Sequence, residues 1–231
     1  MKKFGLCTIL SLVAFCLLTT ASPLRVYADP VTVTLKLESV GSNSADGYDA
    51  YPYYFSVNGG PATTALMCVS FNNEIYFGET WTADVYAITS LSGLVAAVDA
   101  SGENGGTLAD YEEAAWLLNN AQTDPSQSDS DQSAAWYLFH HENGDSDGNN
   151  GQLALAQTYV QENPNSSLYS QFVVYVPVPG SQSEGELPQT FIGDPAPTPE
   201  PSSLLLLGTG LLGLAFVAFR KAKPSGQVSR S

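Results

Sequence analysis

The chain has 231 residues, with 23 acidic residues against 8 basic ones and a net charge of −15. All the acids lie between Asp29 and Glu200, where Lys36 is the one basic residue, so this segment repels nucleic acid and anionic lipid and excludes both as partners. Its roughly 170 residues suffice for one domain with a sizeable core.

The chain opens with Lys2 and Lys3, an apolar run from Phe4 to about Leu18, and a polar stretch ending in Val26, Tyr27 and Ala28. This order predicts a secretory signal peptide over residues 1–28, which removes Cys7 and Cys16 from the mature protein. Bulky Phe15 before Cys16 argues against a lipidation site, which needs a small residue there.

An ectodomain is expected over 29–180. VTVTLKLESV (31–40) alternates apolar and polar residues as a half-buried strand does. AYPYYFSV, ALMCVSF, NEIYF and TWTADVYAI are further β-rich runs divided by turn residues, and together they predict a sandwich or barrel. LADYEEAAWLLNNA (108–121) then sets Tyr111, Ala115 and Leu118 on one helical face. DQSAAWYLFHH predicts a second helix with Asp131 or Ser130 as N-cap, and LALAQTYVQ (153–161) a third. QFVVYVPV (171–178) closes the domain as a strand. The fold class is α+β: a β-sandwich or barrel with a helical insert of about three helices, plus the N-terminal signal peptide and a C-terminal transmembrane sorting helix.

A Pro/Gly/Ser/Glu-rich linker follows over 181–201 and is expected to be flexible. Residues 202–220 form an apolar run near the short limit for a spanning helix, roughly 17 residues. Arg220, Lys221 and Lys223 then predict a basic cytoplasmic tail over 221–231.

Chemistry-bearing motifs are few. Asn143, Asp145, Asp147 and Gly148 mimic the early positions of a calcium loop, but Ala154 stands where a bidentate glutamate is needed, so a polar surface loop is the reading. Adjacent His140 and His141 diverge on a helix and share a metal poorly. No nucleophile elbow, phosphate-binding glycine loop or paired-cysteine metal site occurs, and neither enzymatic turnover nor a cofactor is expected. Cys68, inside ALMCVSF, is the sole cysteine outside the terminal hydrophobic segments. A lone thiol in an exported domain is a buried inert group, half of an intermolecular disulfide, or a reactive group.

Two resemblances add to this. Pro199, Glu200 and Pro201, followed by the apolar run and by Arg220 and Lys221, resemble the PEP-CTERM sorting signal of Gram-negative bacteria, often makers of exopolysaccharide. The resemblance implies recognition by the membrane sorting enzyme exosortase, a temporary membrane anchor, and a destination at the cell surface or in the extracellular matrix. Cys68 together with DQSAAW (131–136) resembles the thioester domains of bacterial surface adhesins, where a strand cysteine is joined to the glutamine of a T-Q-x-A-I-W motif. Gln132, Ala134 and Trp136 match that motif; Asp131 replaces its threonine and Ala135 its isoleucine. The resemblance implies a Cys68–Gln132 thioester, with Asp131, Trp136 and Trp116 around it, that reacts once with an amine-bearing partner. The alternative is a noncovalent structural matrix protein in which Cys68 is a free buried thiol.

Overall fold

The computed structural model describes residues 30–45, 47–89, 91–100, 105–140, 151–183, 185–196 and 208–215. The signal peptide, the calcium-like loop and the Pro-Glu-Pro tripeptide lie outside them.

Six strands close a barrel: β1 (Val31–Val40), β4 (Tyr53–Val57), β5 (Thr64–Cys68), β6 (Thr80–Ala87), β7 (Val173–Pro177) and β8 (Phe191–Gly193). Their order around it is β1-β4-β5-β8-β7-β6, every neighbouring pair antiparallel. A two-stranded ribbon, β2 (Ser44–Ala45) with β3 (Tyr48–Asp49), stands in the connection from β1 to β4. The alternation in β1 is realised physically: Val33, Leu35 and Leu37 are buried while Thr32 and Thr34 are exposed. Edge-to-face rings fill the barrel core, with Phe55 5.6 Å from Trp81 and 4.9 Å from Phe191.

Four helices stand between β6 and β7: α1 (Leu91–Ala100), α2 (Leu108–Thr123), α3 (Ser128–Phe139) and α4 (Gln152–Glu162). Tyr111, Ala115 and Leu118 are all fully buried, so α2 presents the expected face. Its start is a capping box: Asp110 N–H donates to Thr107 Oγ1 at 3.3 Å and Thr107 N–H to Asp110 Oδ2 at 2.6 Å. The helices pack their apolar faces on one side of the barrel, sharing a core with Met67, Val69, Val174, Val176 and Ile192. By strand alternation Leu66 and Cys68 then belong to the opposite face of β5, toward the barrel interior.

Four sequence expectations are corrected. Among its described residues the insert has four α-helices, because LSGLVAAVDA also buries Leu94 and Val98 against the helical core. NEIYF (73–77) forms no strand: it runs into a turn at Gly78, whose φ of 82° is left-handed, and the Glu79 carboxylate accepts from the Tyr76 N–H at 3.0 Å. Asp131 and Ser130 are not the N-cap of α3, which starts earlier, at Ser128, directly after a 3-10 turn over Pro125–Gln127. Finally, the segment expected as linker contains β8, which pairs with both β5 and β7 and completes the barrel. Gly193 permits that closure, since a Cβ there would collide with Leu66 Cδ2 on the adjoining strand.

The compact unit runs to Asp194. A second unit, Pro195–Ser231, contains a helical stretch at 208–215, part of the predicted span. Among the described residues no helix is long and apolar enough to cross a membrane.

Candidate functional site

Cys68 ends β5 and Gln132 lies in the first half of α3; both are completely buried. α3 packs against the end of β5, and this brings the two residues together. The Gln132 Nε2 donates to the Cys68 backbone carbonyl at 2.6 Å, and the Tyr51 backbone N–H donates to Gln132 Oε1 at 3.2 Å. The carboxamide is thus held at both ends, with its carbonyl polarised by an N–H that comes from the loop before β4 and not from the helix N-terminus. Tyr51 is the member of this hydrogen-bonded group that sequence reasoning misses, since nothing in AYPYYFSV marks one backbone N–H as special.

The Cys68 thiol donates to the Ser70 carbonyl at 2.8 Å. The Ser70 hydroxyl in turn accepts from the Thr190 N–H at 2.8 Å, so the chain leaving β5 is pinned to the approach of β8. Tyr53 lies close by, its hydroxyl donating to the Asp49 carbonyl. Burial pushes the Tyr53 phenol up, and the nearby Cys68 and Asp49 charges push it the same way.

Asp131 is fully buried beside Gln132. Asn120 Nδ2 donates to its two oxygens at 3.1 and 2.9 Å, which fastens α3 to α2. Burial raises the Asp131 carboxyl to about 7, against the opposing effect of the Asn120 hydrogen bond, with Asp124 adding to the rise. Asp131 therefore acts on Gln132 by fixing the helix that carries it.

Trp136, one helical turn beyond Gln132, is buried in an aromatic group, 5.1 Å from Phe71 and 6.4 Å from Tyr48. Trp116 is not in that group. It is half-buried on α2, its ring 6.2 Å from Tyr159 of α4, and packs the insert. Among the described residues no cluster of His, Cys, Asp and Glu could hold a metal ion. The sequence candidates Asn143, Asp145 and Asp147, like Pro199, Glu200, Pro201, Arg220 and Lys221, lie outside the described residues.

No curated protein and no solved structure matches the chain. Residues 197–221 match the PEP-CTERM protein-sorting motif, which supports export, recognition by exosortase, and a surface or extracellular destination.

Proposed function

We propose that this exported protein is a covalent adhesin or crosslinker of the cell envelope or exopolysaccharide matrix, acting through an internal Cys68–Gln132 thioester. The observation that carries the reading is the Gln132 carboxamide, sequestered from water and clamped between the Cys68 carbonyl and the Tyr51 N–H.

Formation requires the Cys68 thiol to leave the Ser70 carbonyl and, because alternation sets it on the interior face, the end of β5 to rotate so that sulfur meets the Gln132 carboxamide carbon. Sulfur attacks that carbon, and the Tyr51 N–H stabilises the charge developing on Oε1. The C–N bond breaks, and the amide nitrogen leaves as ammonia, carrying the thiol proton. The acyl group then waits in a dry site where hydrolysis is slow. A partner amine later attacks the same carbon, Cys68 leaves as a thiol, and an amide bond joins the two molecules. Each copy reacts once, so this is capture and not turnover. A mature segment with Lys36 alone, held by Glu38 at 3.0 Å, carries few amines that would crosslink neighbouring copies.

A noncovalent matrix protein is the second reading, favoured by the hydrogen bond that already satisfies the Cys68 thiol. Intact mass of the ectodomain, from Asp29 to Glu200, separates the two. A mass about 17 Da below the sequence value, with a thiol that labels only after methylamine treatment, establishes the thioester. Full sequence mass with a thiol that labels on unfolding establishes the noncovalent reading.

A further inference from the structure

A cavity of about 460 Å³ opens beside this site. Part of its wall comes from three short stretches near the clamp: Tyr48 and Asp49 before Tyr51, Phe71 and Glu74 after Cys68, and Trp136 one turn beyond Gln132. Leu37, Val40, Tyr53 and Gln189 also line it. Tyr48 stands nearly perpendicular to Phe71 and Trp136, at 82° and 87°, and those two rings are inclined to each other by 66°. They form an aromatic corner, and Phe77 also lines the cavity. Tyr48 of β3 and Phe77 of the stretch after β5 are 58% and 68% exposed, large rings left in water. Asp49 and Glu74 belong to the same lining, the Glu74 carboxylate also accepting from the Tyr76 hydroxyl at 2.8 Å, and no lysine, arginine or histidine is among its described residues.

Aromatic faces carry negative quadrupoles, so rings set beside carboxylates attract a cation that is weakly hydrated enough to give up water. An ammonium group on a small organic skeleton meets both demands. A metal ion lacks a ligand set here, since among the described residues no group of three or more His, Cys, Asp and Glu could hold one. We propose that this cavity binds an organic ammonium cation, held by the corner of Tyr48, Phe71 and Trp136 and by the charges of Asp49 and Glu74. The binding is noncovalent and independent of any thioester.

The test uses the full chain in a polyethylene-glycol-ether detergent, whose headgroup has neither amine nor sugar. Choline is the probe, since it has no N–H and cannot be acylated at nitrogen; dimethylbutanol is its uncharged isostere, and glucose stands for a neutral sugar. The reporter is the Trp136 indole N–H resonance, assigned by its loss in Trp136→Phe. Choline is expected to shift it saturably and to bind at least about tenfold tighter than the isostere. Glu74→Gln, at an exposed position, should weaken choline about threefold or more and leave the isostere unchanged; Tyr48→Leu should weaken both. Equal binding of choline and isostere, a response to glucose in place of choline, or no response to choline each overturns the proposal.

Discussion

The side-chain amide of Gln132 donates to the backbone carbonyl of Cys68 at 2.6 Å, across 64 residues of chain. The two residues singled out on α3 and β5 meet in a fully buried contact, and Tyr51 supplies the third member by donating to the same carboxamide. A carboxamide held at both ends cannot rotate without leaving buried polar groups unpaired, so the acyl carbon has one orientation.

Gln132→Ala is expected to abolish methylamine incorporation while the barrel remains folded. It leaves the Tyr51 N–H without its acceptor, a loss of about 1–3 kcal/mol. Urea denaturation measures the stability and mass spectrometry the incorporation; retained amine reactivity would remove Gln132 as acyl donor.

β8 is predicted to be indispensable to the barrel. Phe191 is fully buried among Tyr53, Phe55 and Trp81, so Phe191→Ala should cost about 3–5 kcal/mol in urea unfolding. A chain stopped before Pro188 should lose cooperative unfolding, because β5 and β7 would each keep an open edge. A truncated chain as stable as the parent would show that the barrel closes without this strand.

Stability should fall as pH rises from about 4 to about 7. Burial raises the Asp131 and Glu113 carboxyls to about 7 from 3.8 and 4.5, so the folded state holds protons that the unfolded chain has released. Their contribution is whole below the unfolded values, fades through this window and is gone above it. Asp131→Asn and Glu113→Gln should each raise the melting temperature at pH 8 by about 2–4 °C and change it little at pH 4. Thermal melts at the two pH values check this, and equal effects at both would refute the assignment.

Thr107→Ala should lower stability by about 1 kcal/mol, since it removes the hydroxyl that accepts from the Asp110 N–H. Thr107→Ser should restore most of it, and equilibrium denaturation of the pair measures the difference.

Replacing Pro199, Glu200 and Pro201 together by alanine should stop processing at the sorting signal. A tag placed after Ser231 would then stay with the protein in an exosortase-bearing host, whereas the parent chain should lose it.

Several features were legible in the sequence for clear physical reasons. Period-two alternation in VTVTLKLESV and the helical face of Tyr111, Ala115 and Leu118 are local patterns that only one geometry can bury. The ordering of Pro-Glu-Pro, apolar run and basic cluster is likewise a property of the linear chain, which is why the sorting motif could be read from it directly. Charge was equally plain, since Lys36 stands alone among the acids.

Tertiary structure decided the rest. Phe191–Gly193 is too short and too closely flanked by Pro, Gly and Ser to announce a strand; only the open edges of β5 and β7 make it one. NEIYF has strand composition, yet the turn at Gly78 ends it before it can pair. Trp116 and Trp136 look alike as sequence, and helix packing sends one to Tyr159 and the other to Phe71. The Tyr51 N–H became part of the site because of where the β4 connection lies against α3, a long-range relation that no residue type encodes. Residue identity determined which groups have the chemistry, and barrel closure determined which of them meet, because burial rewards contacts that are distant along the chain as strongly as those that are near.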